Sequence, residues 1–215
     1  MAKMNAEDDW QEVWDARADA LAQVFGSAHD NVFHAPHPFQ LGGQADVMAF
    51  FQHLPGAVYV TTELTGKPKA CYADYELMIC HRSPDDWGPN IISRIAPYTQ
   101  EAYISAGETM DLDDATPPDS RIKAFIFDTY SAFTMFGRRL ELRLCLGITK
   151  PELQFKMQHG PDQLLALLKC HGVYPFTDLK RDSIPLPAEP DTPPNGGPAA
   201  PPANSGASGG PPSVS

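Results

Sequence analysis

Hydrophobic and polar positions along the chain alternate with two different periods. Trp10, Val13, Trp14, Arg17, Leu21, Val24 and Phe25 fall mostly at three-and-four spacing, with Asp8 or Asp9 placed to cap the start and Gly26 to stop the end. That spacing predicts an amphipathic helix on which the two tryptophans share one face and pack. Residues 29–37, with Pro36 and Pro38, predict a loop, and 46–54 a short helix ended by Pro55-Gly56. Residues 57–64 are rich in β-branched side chains, and 72–81 alternate with Tyr75, Leu77 and Ile79 on one face. The intervening Thr65-Gly-Lys-Pro-Lys69 suits a chain reversal, so these two strands are expected to pair antiparallel.

Residues 85–100 join a turn, an aromatic and a helix. Pro89 suits the first helical turn, Ile91, Ile92, Ile95 and Tyr98 form one face, and Pro97 should end the helix early. An acidic loop is expected over 107–118, carrying Glu108, Asp111, Asp113 and Asp114. Strands follow at 122–128 and 139–146, the second with four leucines facing inward. Thr149-Lys-Pro-Glu152 is a capping box opening a helix that ends at Gly160, and Leu164, Leu165, Leu167 and Leu168 mark another closed by Gly172. Helices that bracket a run of strands predict an α+β fold with a mostly antiparallel sheet flanked by helices, unlike the strict βαβ alternation of nucleotide-binding folds.

Length and composition bound this picture. With 215 residues, 42% of them hydrophobic, the chain supports one sizeable core. One globular domain is expected over 1–184, followed by a disordered Pro/Gly/Ala/Ser-rich tail over 185–215 that lacks the apolar surface to offset its ordering entropy. No stretch approaches the ~20 consecutive apolar residues of a membrane span. The N-terminus turns acidic at once and lacks the basic and apolar regions of a secretory signal, so the expected location is cytoplasmic. The formal net charge of −11 repels phosphate backbones and favours a basic protein partner over nucleic acid.

Candidate chemistry is sparse. Cys71, Cys80, Cys145 and Cys170 contain no Cys-x-x-Cys pair and are expected to be reduced. His34-Ala-Pro-His37, Cys80-His81 and Cys170-His171 place donors close together but match no standard zinc spacing, so neither a metal nor another cofactor is expected. Asp111-Leu-Asp-Asp114 lacks the glycine and terminal glutamate of a calcium loop. There is no Gly-x-Ser-x-Gly elbow, phosphate loop or dinucleotide fingerprint, and Glu101, Glu108 and Asp128 are scattered acids. A non-catalytic protein-interaction domain is the expected function. The alternative is a hydrolase or metal-dependent enzyme built on the His/Cys pairs.

Three ordered segments sharpen that expectation: Trp87-Gly-Pro-Asn-Ile-Ile92, Gly147-Ile-Thr-Lys-Pro-Glu-Leu153 and Thr177-Asp-Leu-Lys-Arg-Asp-Ser-Ile184. Together they resemble the suppressor of fused (SUFU-like) domain family over roughly residues 58–184. In the family's eukaryotic members a second domain follows, and the two close on an extended peptide, adding it as a strand and receiving a peptide histidine on polar side chains. The resemblance places the family's aromatic on Tyr98 and its acid on Glu108, with spacing about two residues shorter and Glu in place of Asp. This chain departs from those members in running into its tail soon after Ile184, without the second half of the clamp. Compact bacterial members resemble immunity proteins that neutralise a cognate toxin. The resemblance therefore implies an immunity-type domain binding a protein or extended peptide, such as a basic toxin domain. Its expected contact surface is Tyr98, Glu108, Asp111, Asp113 and Asp114, with the strand edge near Tyr75.

Overall fold

The computed structural model describes residues 6–30, 32–37, 39–67 and 72–187, without the side chains of 6–9 and 113. Ten helices and strands follow in the order α1 (Ala6–Phe25), β1 (Val47–Phe50), β2 (Ala57–Thr61), β3 (Tyr75–His81), α2 (Trp87–Ile95), β4 (Thr109–Asp111), β5 (Ile122–Met135), β6 (Arg138–Thr149), α3 (Lys150–His159) and α4 (Pro161–Cys170). The six strands form one sheet in the order β1-β2-β3-β6-β5-β4. Four of its pairings are antiparallel, and β3 with β6 is parallel. The fold is α+β.

Apolar side chains fill both faces of the sheet. On one, Leu140, Leu142, Leu144 and Leu146 of β6 pack with Leu21 and Phe25 of α1, Phe155 of α3 and Leu164 and Leu168 of α4. On the other, Tyr75, Leu77 and Ile79 of β3 meet Ile91 and Ile92 of α2. Period-two alternation thus sends neighbouring residues of one strand into different cores. Trp14 packs against the first core, and the half-exposed Trp10 stacks on it with ring centroids 5.5 Å apart. No helix among the described residues is long and apolar enough to cross a membrane.

The structure corrects several sequence expectations. Residues 47–50 are a strand and not part of a helix; all four are buried, and an apolar run buried on both sides has no period that separates strand from helix. The expected loop at 107–118 contains β4, in which Thr109 and Met110 are partly buried, Asp111 is exposed and no alternation shows. α1 begins at Ala6, before the anticipated caps, and β5 runs on to Met135. At the far end Leu186 packs against the first core, and residues 188–215 of the expected tail lie outside the described residues.

The two sheet edges differ. The outer side of β1 is stitched to the preceding segment: Phe33 N–H donates to Val47 O at 2.9 Å, Val47 N–H to Phe33 O at 3.0 Å and His29 N–H to Ala49 O at 2.7 Å. On either side of β4, Phe127 N–H of β5 donates to Glu108 O at 3.0 Å and Leu112 N–H to Lys123 O at 3.0 Å. β4 is the outermost strand of the sheet on this side, and by antiparallel alternation the backbone of Thr109 turns away from β5.

A clasp closes the C-terminal segment onto α3. The capping box forms as expected at Thr149 and Glu152. The buried Glu152 carboxylate accepts two bonds from Arg181 at 2.6 Å each, one from Ile184 N–H at 3.0 Å and one from Thr149 N–H at 2.9 Å. Thr177 Oγ1 accepts from Gly147 N–H at 2.8 Å, and Thr149 and Ser183 share a hydroxyl bond of 2.7 Å. Burial opposes ionisation of Glu152, but Arg181 and the backbone donors outweigh it and hold the carboxyl below its ordinary range.

Candidate functional site

The turn after α2 is forced by Pro97, and a short 3-10 helix at Ala96–Gln100 carries Tyr98 out of the core with 48% of its surface exposed. Tyr103, a few residues on, is 55% exposed, and Met157 on α3 is 72% exposed. These three side chains ring a concavity of about 880 Å³ that runs beside β4 and is floored by Ile104 and Phe127. Large apolar side chains gathered at a concave surface are the signature of a docking site, whereas the same residues scattered singly would need no explanation.

Tyr98 and Glu108, the pair drawn from the family resemblance, both line this groove. Glu108 Oε2 accepts Ser105 N–H at 2.8 Å, so the carboxylate also braces its own turn. Asp111 and Asp114 are exposed but do not line the groove, and the Asp113 side chain lies outside the described residues. Tyr75 corrects the expectation of a strand edge. It is fully buried in β3, in the interior of the sheet, and burial pushes its hydroxyl up to about 12. Its hydroxyl accepts Ile104 N–H at 3.0 Å and its ring meets Tyr103 edge-on at 5.3 Å. Tyr75 therefore supports the groove from beneath, and the edge beside the site is β4.

Among the groove residues that escaped sequence reasoning are Arg94, Tyr103, Lys156 and Met157. They come from α2, a loop and α3, and no local pattern announces that these elements converge. Their presence also changes the expected electrostatics, since the groove holds two cations and one acid.

The metal and nucleophile readings find no such assembly. Among the described residues no three His, Cys, Asp or Glu side chains converge to hold a metal ion. Cys80 faces the first core, where burial pushes its thiol up to about 12, a poor condition for a thiolate nucleophile. His81, next in the strand, sits against Trp87 and Tyr59 with Nε2 buried and unpartnered. Cys170 is exposed at the end of α4, Cys71 lies outside the described residues, and Asp128 pairs with Lys169 at 3.4 Å.

The model of the suppressor of fused protein family matches residues 55–182, more than half of the sequence. The chain belongs to the suppressor of fused family. A suppressor of fused homologue from Neisseria gonorrhoeae FA 1090 superposes with a TM-score of 0.61 at 17% identity, covering 85% of this chain and 100% of that one. The structure of a Sufu–Fu complex gives 0.64 at 14% identity, covering 79% and 91%. Drosophila Suppressor of Fused gives 0.52 at 10%, with 84% of this chain matched to 53% of that one. No curated protein matches the chain by sequence. The suppressor of fused motifs divide in space: the Trp87 segment builds the α2 wall that leads to the groove, while the Gly147 and Thr177 segments meet in the Glu152 clasp.

Proposed function

We propose that this suppressor of fused domain is a non-catalytic interaction module that takes an extended segment of a partner protein into the Tyr98 groove, along the outer side of β4. The observation that carries this reading is the gathering of Tyr98, Tyr103 and Met157, all strongly exposed, in a concavity beside β4, the outermost strand of the sheet. An edge strand offers main-chain donors and acceptors for affinity, and the adjoining rings offer a pocket for specificity. The similarity to a Sufu protein crystallised with Fu supports a protein as the partner class.

Within that reading the specific role is immunity: a cytoplasmic domain that binds and neutralises a toxin. The similarity to a bacterial homologue of matching extent supports it, and so does the acidic field, which speeds encounter with a basic target. The test is to co-express the chain with toxin candidates from adjacent genes and to titrate the purified pair. Rescue of growth with a complex abolished by Tyr98→Ala and Tyr103→Ala supports the proposal. A complex unaffected by both substitutions removes the groove, and absence of any rescue removes the immunity role.

A further inference from the structure

Although the protein is strongly acidic, the lining of its groove is basic by one charge. Arg94 from the last turn of α2 and Lys156 from α3 both line it, and neither side chain forms an ion pair or hydrogen bond with any described residue. The buried or partly buried cations elsewhere that brace the fold are matched, Arg17 with Glu76, Arg143 with Glu141 and Arg181 with Glu152. The one carboxylate in the groove, Glu108, already accepts the Ser105 N–H. Two cations that line one concavity from separate helices, beside exposed apolar rings, make it favourable to an entering anion.

We propose that the partner segment carries a carboxylate side chain that is received between Arg94 and Lys156, next to an apolar residue seated on Tyr98, Tyr103 and Met157. This rests on the groove being the docking site, and it specifies what the site selects. Arg94 presents a planar fork suited to bidentate binding of a carboxylate, and half-buried Lys156 adds a point charge. The outlying Asp111 and Asp114 then set a long-range field favouring a partner that is basic overall, while the segment entering the groove is locally acidic.

Selection of displayed random dodecapeptides against the full chain tests this. Groove binders should be enriched in Asp or Glu beside an apolar residue. Their affinity should fall about tenfold in R94E/K156E at low salt, with most of that difference screened at high salt. Selection against R94E/K156E should enrich Lys or Arg at the same position. Peptides that depend on Tyr98 and Tyr103 but ignore R94E/K156E overturn this inference and leave the groove standing. Peptides that ignore all four substitutions, or a library without a groove binder, overturn both. Enhanced peptide binding in E189Q/D191N would mean that the chain's own acids fill the groove, which also overturns a partner carboxylate.

Discussion

The Glu152 clasp and the Tyr98 groove are both built from segments that carry the family likeness, and they treat charge in opposite ways. In the clasp a buried carboxylate accepts four hydrogen bonds and faces its guanidinium partner bidentately. In the groove two cations and two tyrosine rings stand beside the outermost strand of the sheet. A charge matched inside the fold holds the chain in place, and a charge left unmatched at a concave surface is available to something else. Family motifs in this protein thus mark both kinds of position, and burial with partner count separates them.

Effects on stability should follow this division. Glu152→Ala should cost the most, about 3–5 kcal/mol in urea unfolding, because it strands Arg181 in a poorly solvated site. The native carboxyl titrates below its unfolded value, so its contribution is complete above about pH 4.5 and is lost as pH falls through the lower folded value. Gly88→Ala comes next, at about 1–3 kcal/mol, since an added Cβ would lie 2.2 Å from His81 Nε2 and 3.3 Å from Ile79. Pairing it with His81→Ala should recover part of the loss in a double-mutant cycle.

His81 itself should give a smaller, pH-dependent effect. Burial pushes its imidazole below the ordinary value, outweighing the pull of Asp85 and Asp178. Below about pH 6.5 the unfolded chain therefore binds more protons than the folded one, and stability should decline with acidification. His81→Phe should flatten that slope in unfolding curves collected between about pH 7 and 5. Tyr98→Ala should change stability least, by about 0.5 kcal/mol or less, while weakening partner binding by about 2 kcal/mol in calorimetry. A large stability loss there would make Tyr98 part of the core and erase the contrast with Glu152.

Legibility in the sequence followed the same physics. The leucines of β6 and the Thr149 capping box were readable because each rests on local spacing. β1 was misread because burial on both faces removes alternation, and β4 was overlooked because three partly exposed residues next to acids resemble a loop. The parallel pairing of β3 with β6 joins segments more than sixty positions apart, beyond any local pattern. At the candidate site, the resemblance named Tyr98 and Glu108, and both line the groove. Arg94, Tyr103, Lys156 and Met157 became visible when three elements converged, and Tyr75 was placed in the right neighbourhood but on the wrong side of the protein surface.

The stitched outer side of β1 has a consequence for self-association. A sheet with two bare margins can stack copies end to end without limit, as fibrils do. Here the backbone bonds of His29 and Phe33 cover one margin, so copies meeting through β4 would use up the other margin of each. Edge pairing through β4 would therefore stop at two participants, with no route to a polymer.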